Sequence, residues 1–314
     1  MARFLVGKLL VMVLQVFVVA TIVFSLVRLM PGDPAVLVLG TERGADPAAV
    51  AEMRHRLGLD QPVFKQFAAW IGDFVRFDWG ESIFDGTKVT DYMAQRLPNT
   101  IELAVVSIVL AALIGVPLGM VAAVRRGGFV DMLLSSIAAL GISFPVYVLG
   151  TFLILLFSFK LGWLPASGFA SFSDDPAKHI ERLVLPAFTL ALGLAAAIAR
   201  MTRSSILEVL NKEFVLTLRA KGVSSAGVLI RHVFRNAVIP VVTIIGLQLG
   251  NLIGGTVLIE YLFNWPGMST LLVKAISNRD YPLIQGCIVV MSTFFIVINM
   301  LVNMLYGLLD PRVR

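Results

Sequence analysis

Six stretches without a single Asp, Glu, Lys or Arg, at residues 9–27, 103–124, 132–159, 183–199, 236–259 and 281–309, leave this chain little choice of fold. They are 19, 22, 28, 17, 24 and 29 residues long. A helix needs about 20 apolar residues to cross the hydrocarbon of a bilayer, roughly 17 to 25, and tilt or a kink absorbs any surplus. Each stretch therefore predicts one crossing, and six crossings return both termini to one side. Charged residues are 15% of the 314, well below the quarter or so of soluble domains. The fold class expected is an all-α membrane protein.

The start, "MARFLVGKLL", resembles a signal peptide, but "VRLMPGDPA" follows the apolar run with no small-residue cleavage site. The run also exceeds a signal core of about 7 to 15 residues, so a retained first helix is expected. Orientation follows from basic residues, which stay cytoplasmic beside spans. With the N-terminus inside, the inner segments hold 13 basic and four acidic residues, a balance of +9, and the outer ones 13 and 16, a balance of −3. The isoelectric point near 9.7 then reports topology and attraction to anionic lipid, not nucleic-acid binding.

Chemistry-bearing clusters are scarce. Cys287 is the only cysteine, so no internal disulfide forms, and a small packing role is expected for it. His55, His179 and His232 are too scattered for a local metal site. No G-x-x-x-x-G-K-[ST] phosphate loop occurs, so any ATP must be hydrolysed by another chain. The chain is not expected to be an enzyme and holds no cofactor of its own.

The outer loop at 31–98 is long enough for structure of its own. Asp46 and Pro47 predict a helix start, Val50, Met53 and Leu57 share one face, and Gly58 ends the helix. A second helix places Val63, Phe67, Trp70, Ile71 and Phe74 on one side. It either packs on the spans or serves as an interfacial platform or docking face. In or at the ends of the spans, Gln15, Glu102, Gln248, Asn251, Glu260, Asn299 and Asn303 are costly in lipid and mark either a path or helix-to-helix hydrogen bonds. Gln248, Asn251 and Glu260 are the candidate path-lining residues. Gly246, Gly250 and Gly254, four apart, predict a close helix contact, as do Gly115 and Gly119. Pro117, Pro145 and Pro186 permit kinks.

The largest inner segment, 200–235, reads as two helices joined by "AKGVSSAG" on the cytoplasmic face. Solvating a span end needs no such order, which points to a docking surface for a separate motor. A channel or secondary carrier working without ATP is the alternative, with intramembrane carboxylates limited to Glu102 and Glu260 near span ends.

Nearly the whole chain resembles the permease subunits of bacterial ATP-binding-cassette importers, specifically the B-type subunit of dipeptide, oligopeptide, glutathione and nickel systems. The residues that carry the resemblance are, in order, "RLMPGDPA", "LGLDQP", "DWGESI", "RLPNTIEL", "GISFPVYVLG", "LPAFTLAL", "ARMTRSSILEVL", "LRAKGVS", "RNAVIPVVTIIGLQLG", "FNWPGMSTLLVKAI", "RDYPLIQG" and "LLDPRVR". The resemblance implies a type I importer fold in the bacterial inner membrane with both termini cytoplasmic. Residues 1–94 would form the first span and a helical periplasmic region, 95–308 a five-helix core, and 309–314 a cytoplasmic tail. It further implies a second, homologous permease as heterodimer partner, two ATPase subunits carrying ATP and Mg, an external solute-binding protein, and short peptides as cargo, with glutathione, a nickel chelate or oligopeptides as alternatives. The coupling loop it implies comprises Glu213, Thr217, Leu218, Arg219, Ala220, Lys221, Gly222, Val223, Ser224 and Ser225. Gly222 matches the family's glycine, whereas Leu216, Thr217 and Leu218 replace its Glu-Ala-Ala and Pro240 comes five residues late. Glu213, about one turn earlier, is a candidate substitute for the glutamate.

Overall fold

A computed structural model of the chain describes residues 2–29, 33, 35, 36, 39, 46–56 and 58–309. Leu57, the 310–314 tail and the side chain of Asn303 lie outside the described residues. The described residues are helical almost throughout, with an isolated bridge at Glu81 and Lys88. Among the described residues five helices are long and apolar enough to cross a membrane, and a bent pair makes six where it counts as one span. The chain divides into two compact units, Met1–Thr100 with Pro266–Val297, and Ile101–Trp265 with Ile298–Arg314.

In the first unit, α1 (Ala2–Leu29) exposes Leu10 and Leu14, as a lipid-facing span does. Helix α2 (Pro47–Arg56) begins where the Asp46 carboxylate accepts the Ala48 N–H at 3.0 Å, with Pro47 at its first position, and Gly58 closes the segment at φ +64°. Helix α3 (Val63–Val75) turns its aromatic stripe onto its own chain. Phe67 meets Phe24 edge-on with centroids 5.0 Å apart, Trp70 lies 5.6 Å from Phe24, and Phe74 stacks on Trp79 at 5.0 Å. The expected amphipathic helix is therefore a packed one, although Val63, Phe64 and Val75 remain exposed. A loop follows in which the Tyr92 hydroxyl and the Thr87 N–H hold the exposed Asp85 carboxyl down to about 2. Buried Asp280 accepts the hydroxyl of Ser82 and the N–H of Ile83, fastening this loop to the residues before the last helix. Val89, Met93, Leu271, Ile284 and Cys287 form the core, so Cys287 packs as the sequence predicts.

In the second unit, the part of α4 (Val89–Val124) from Ile101 on meets α7 (Pro176–Leu210) through glycine. A Cβ on Gly115 would stand 2.6 Å from the Ala195 carbonyl oxygen, and one on Gly119 2.4 Å from that of Ala199. Only a missing side chain permits that approach. Asp175 caps α7 by accepting the Lys178 N–H at 3.0 Å, with Pro176 at the first position. The third expected span is not one helix. Phe144 precedes Pro145, which disfavours helical backbone, so α5 (Phe129–Ser143) ends and α6 (Val146–Leu153) with a π-helical extension (Ile154–Lys160) leaves at 104°. Pro117, Pro186 and Pro240 stay within helices. His179 is buried, with Nε2 2.8 Å from Glu102 and Nδ1 2.8 Å from the Ala170 carbonyl oxygen, beside Phe169, Phe172 and Trp265. It is a structural histidine, and it accounts for Glu102.

Candidate functional site

The segment 213–233 folds as two helical pieces around a tight turn. Helix α8 (Glu213–Ala220) begins with Glu213 and ends with Arg219, charges that suit the helix dipole at both ends. Its termination follows from one residue: Gly222 adopts φ +75°, which L side chains resist. The Val223 N–H then donates to the Leu218 carbonyl at 3.2 Å and the Gly222 N–H to that of Arg219 at 3.0 Å. This is the Schellman pattern, in which a left-handed glycine lets the last carbonyls find donors. Ser224 next caps a short turn (Ser225–Gly227), accepting the Gly227 N–H at 3.2 Å. A π-helical segment (Val228–Val233) carries the chain into α9 (Phe234–Gly255).

The loop has an inside and an outside. Val215, Val228 and Val233 are buried with Ile206, Val209, Ala123 and Ala237, and Leu218 and Val223 pack against them. Burying a valine is worth about 1.5 to 3 kcal/mol, so α8 is seated on the ends of α4, α7 and α9. Thr217, Arg219, Ala220, Lys221, Gly222, Ser224 and Ser225 face outward and are exposed. So are Phe214 at 37% and Leu216 at 67%, two apolar side chains that a solvated connector has no reason to present. The gaps in the sequence pattern conceal these two, because α8 is too short for its periodicity to tell a seated face from a presented one.

A second feature joins elements that the sequence leaves unrelated. Arg203 on α7 grips Asp131 on α5 with two bonds, Nε to Oδ1 at 2.6 Å and Nη2 to Oδ2 at 2.8 Å. Asp131 also accepts the Gly127 N–H at 2.9 Å and is 5% exposed. The turn between α4 and α5 is thereby fixed to the helix that leads into α8.

The remaining candidates divide. On α9, Gln248 is half-buried and Asn251 exposed, and the Asn251 amide lies 3.5 Å from the Gln248 oxygen one turn away. These two can face a path. Glu260, on α10 (Val257–Leu262), cannot, because it is 0% exposed and accepts the Thr256 hydroxyl at 3.0 Å. Its place is the protein interior, where a carboxylate needs such donors. Gly246 faces inward, since its Cβ would meet Val302 at 2.4 Å. Gly250 is also buried, and Gly254 continues the helix. Among the described residues no group of three His, Cys, Asp or Glu could hold a metal.

The chain matches known sequences along its length. Residues 115–314 match the binding-protein-dependent transport system inner membrane component, and residues 1–104 match the N-terminal membrane component of such systems. The chain belongs to this family. Over 296 residues it is 43% identical to a probable peptide ABC transporter permease protein, y4tP, of Sinorhizobium fredii, covering 94% of each chain. It is 42% identical over 314 residues to the glutathione transport system permease protein GsiC of Escherichia coli strain K12, covering 100% of this chain and 99% of the relative. Among solved structures, an inward-facing form of the MetNI methionine ABC transporter aligns with a TM-score of 0.59 at 18% identity, over 70% of this chain and 96% of the other. That likeness is one of fold. The protein is a permease subunit of an ATP-binding-cassette importer, a multi-pass component of the inner membrane.

Proposed function

We propose that the chain forms half of the translocation path of an ATP-driven importer of short peptides, and that residues 213–225 transmit the closure of separate ATPase subunits to the spans. The names of the full-length relatives support a peptide or glutathione-like cargo. In this reading the loop and both termini are cytoplasmic, a second permease completes the path, an external binding protein delivers the solute, and ATP and Mg reside on the ATPases. The chain itself catalyses nothing.

The observation that carries the reading is the two-sidedness of α8. Its inner face is seated against three spans through Val215, while Phe214 and Leu216 are exposed on the same short helix as Arg219, with exposed Lys221 just after it. An apolar pair on a surface where exposed Lys212, Arg219 and Lys221 outnumber the one acid, Glu213, fits a shallow apolar groove with an acidic rim, where the apolar pair supplies affinity and the charge steers approach. A surface so placed can push α4, α7 and α9 together when the motor moves.

The test is Leu216→Asp and Arg219→Glu in the complete complex reconstituted in membranes. Both side chains are exposed, and such changes usually alter stability by under about 0.5 kcal/mol. Losing the burial of one leucine against the motor weakens docking about tenfold or more, since 1.4 kcal/mol is tenfold. Transport and binding-protein-stimulated ATP hydrolysis are expected to fall together for Leu216→Asp, and in a salt-sensitive manner for Arg219→Glu. Unchanged transport in both variants would remove the loop from the mechanism.

A further inference from the structure

Within the second unit, the crook of the bent pair forms a half-open cavity of about 720 Å³ lined by α4, α5, α6 and α7. Leu118, Ala138, Phe144, Phe152 and Leu192 typify its walls. Its few polar groups, Ser135, Arg200 and Arg203, lie toward one end. Along α7 the lining runs from Leu192 to Arg203, about 16 Å at 1.5 Å per residue. That length is close to half of the roughly 30 Å hydrocarbon thickness, the depth of one leaflet.

The two arginines differ. The Arg203 charge is neutralised by Asp131 through both bonds, whereas Arg200, one turn earlier and exposed, has no ion pair among the described residues. A short peptide with free ends carries a charge of each sign. The cavity offers it no free carboxylate, because the acid nearest its polar end, Asp131, is fully engaged. An apolar slot one leaflet deep, with one unpaired cation at its mouth, suits an anionic amphiphile instead. Basic groups at the membrane surface attract anionic headgroups by about 1 kcal/mol each.

We propose that this cavity is a phospholipid site: an acyl chain of an inner-leaflet anionic lipid lies in the crook of α5 and α6, and its phosphate rests on Arg200. The lipid fills the space that the 104° bend opens and lets the break at Pro145 persist within the membrane. The proposal rests on the cytoplasmic placement of Arg200 but not on any coupling by α8.

The experiment uses the complete transporter in phosphatidylcholine bilayers containing a minor share of phosphatidylglycerol with a photoactivatable group midway along one acyl chain. Illumination is expected to attach this lipid at Leu149, Phe152 or Leu192, and native mass spectrometry to find phosphatidylglycerol retained over phosphatidylcholine. Arg200→Gln should reduce the retained phosphatidylglycerol about fivefold. Ala196→Phe, which obstructs the cavity wall, should abolish attachment, and if that variant does not assemble, the exposed Arg200→Gln still decides. Equal retention of the two lipids, unchanged retention in Arg200→Gln, attachment spread evenly over lipid-facing positions such as Leu10 and Leu14, or a partner permease crosslinked into the cavity would each overturn the proposal. Retention is read without ATP, so a failure of the coupling loop and a failure of the lipid site give different results.

Discussion

Gly222 shows how one residue without a side chain can set the course of a turn. A Cβ there would meet no atom within 4 Å, so space does not require glycine; φ +75° does. An ordinary L residue in this left-handed conformation costs about 1 to 2 kcal/mol, whereas asparagine visits it more readily. Gly222→Asn is therefore expected to keep most of the coupling between ATP hydrolysis and transport, and Gly222→Val to lose it in proportion to the unwinding of the last turn of α8. The comparison of these two variants in the same reconstituted complex checks the claim. If Val and Asn behave alike, close approach of a partner, not backbone conformation, is what the glycine provides. The sequence revealed the glycine and its neighbours by resemblance; it did not reveal the reason, because a turn's dihedral sign leaves no trace in hydropathy.

At the scale of elements, the six apolar runs are legible because hydropathy acts on each segment by itself. What escapes is how segments meet. Asp131 and Arg203 are 72 residues apart, Glu102 and His179 are 77 apart, and nothing local marks either as a pair. Pro145 was visible as a possible kink, yet the 104° bend depends on what α5 and α6 find to pack against. Likewise the Gly246 strip promised a close helix, and the neighbour is Val302 of the same chain. The Asp131 and Arg203 pair links α5 to α7, so it should transmit the motion of the inner loop to the bent span. Removing one partner leaves a buried or half-buried charge alone, which typically costs about 3 to 5 kcal/mol. Asp131→Asn and Arg203→Gln are expected to lower the yield of assembled complex and the transport obtained per ATP. The exchange Asp131→Arg with Arg203→Asp should recover part of both, although the Gly127 N–H then faces a cation. No recovery in the exchanged pair, with normal folding, would show that the geometry around Gly127 matters and the charge link does not.

For the whole molecule, the excess of basic residues on one set of loops decides orientation, and the structure makes that decision testable with few changes. Cys287 is 0% exposed, so the natural chain should be silent to a membrane-impermeant thiol reagent and needs no replacement. A reporter on the outer loop must avoid Ser82, which is buried and bonded to Asp280. Phe84, 73% exposed in the same loop, is suitable. On the inner loop, Ala226 is exposed, and unlike Ser224 it carries no capping bond. In intact cells stripped of their outer membrane, Phe84→Cys is expected to label at once, and Ala226→Cys only after the membrane is permeabilised. The inner balance of +9 against −3 outside carries this expectation, because basic residues beside spans resist translocation whereas acidic ones contribute little. Labelling of Ala226→Cys from outside would invert the chain, remove α8 from any cytoplasmic motor, and place Arg200 beside the outer leaflet, so both the coupling surface and the inner-leaflet lipid site stand or fall on this one measurement.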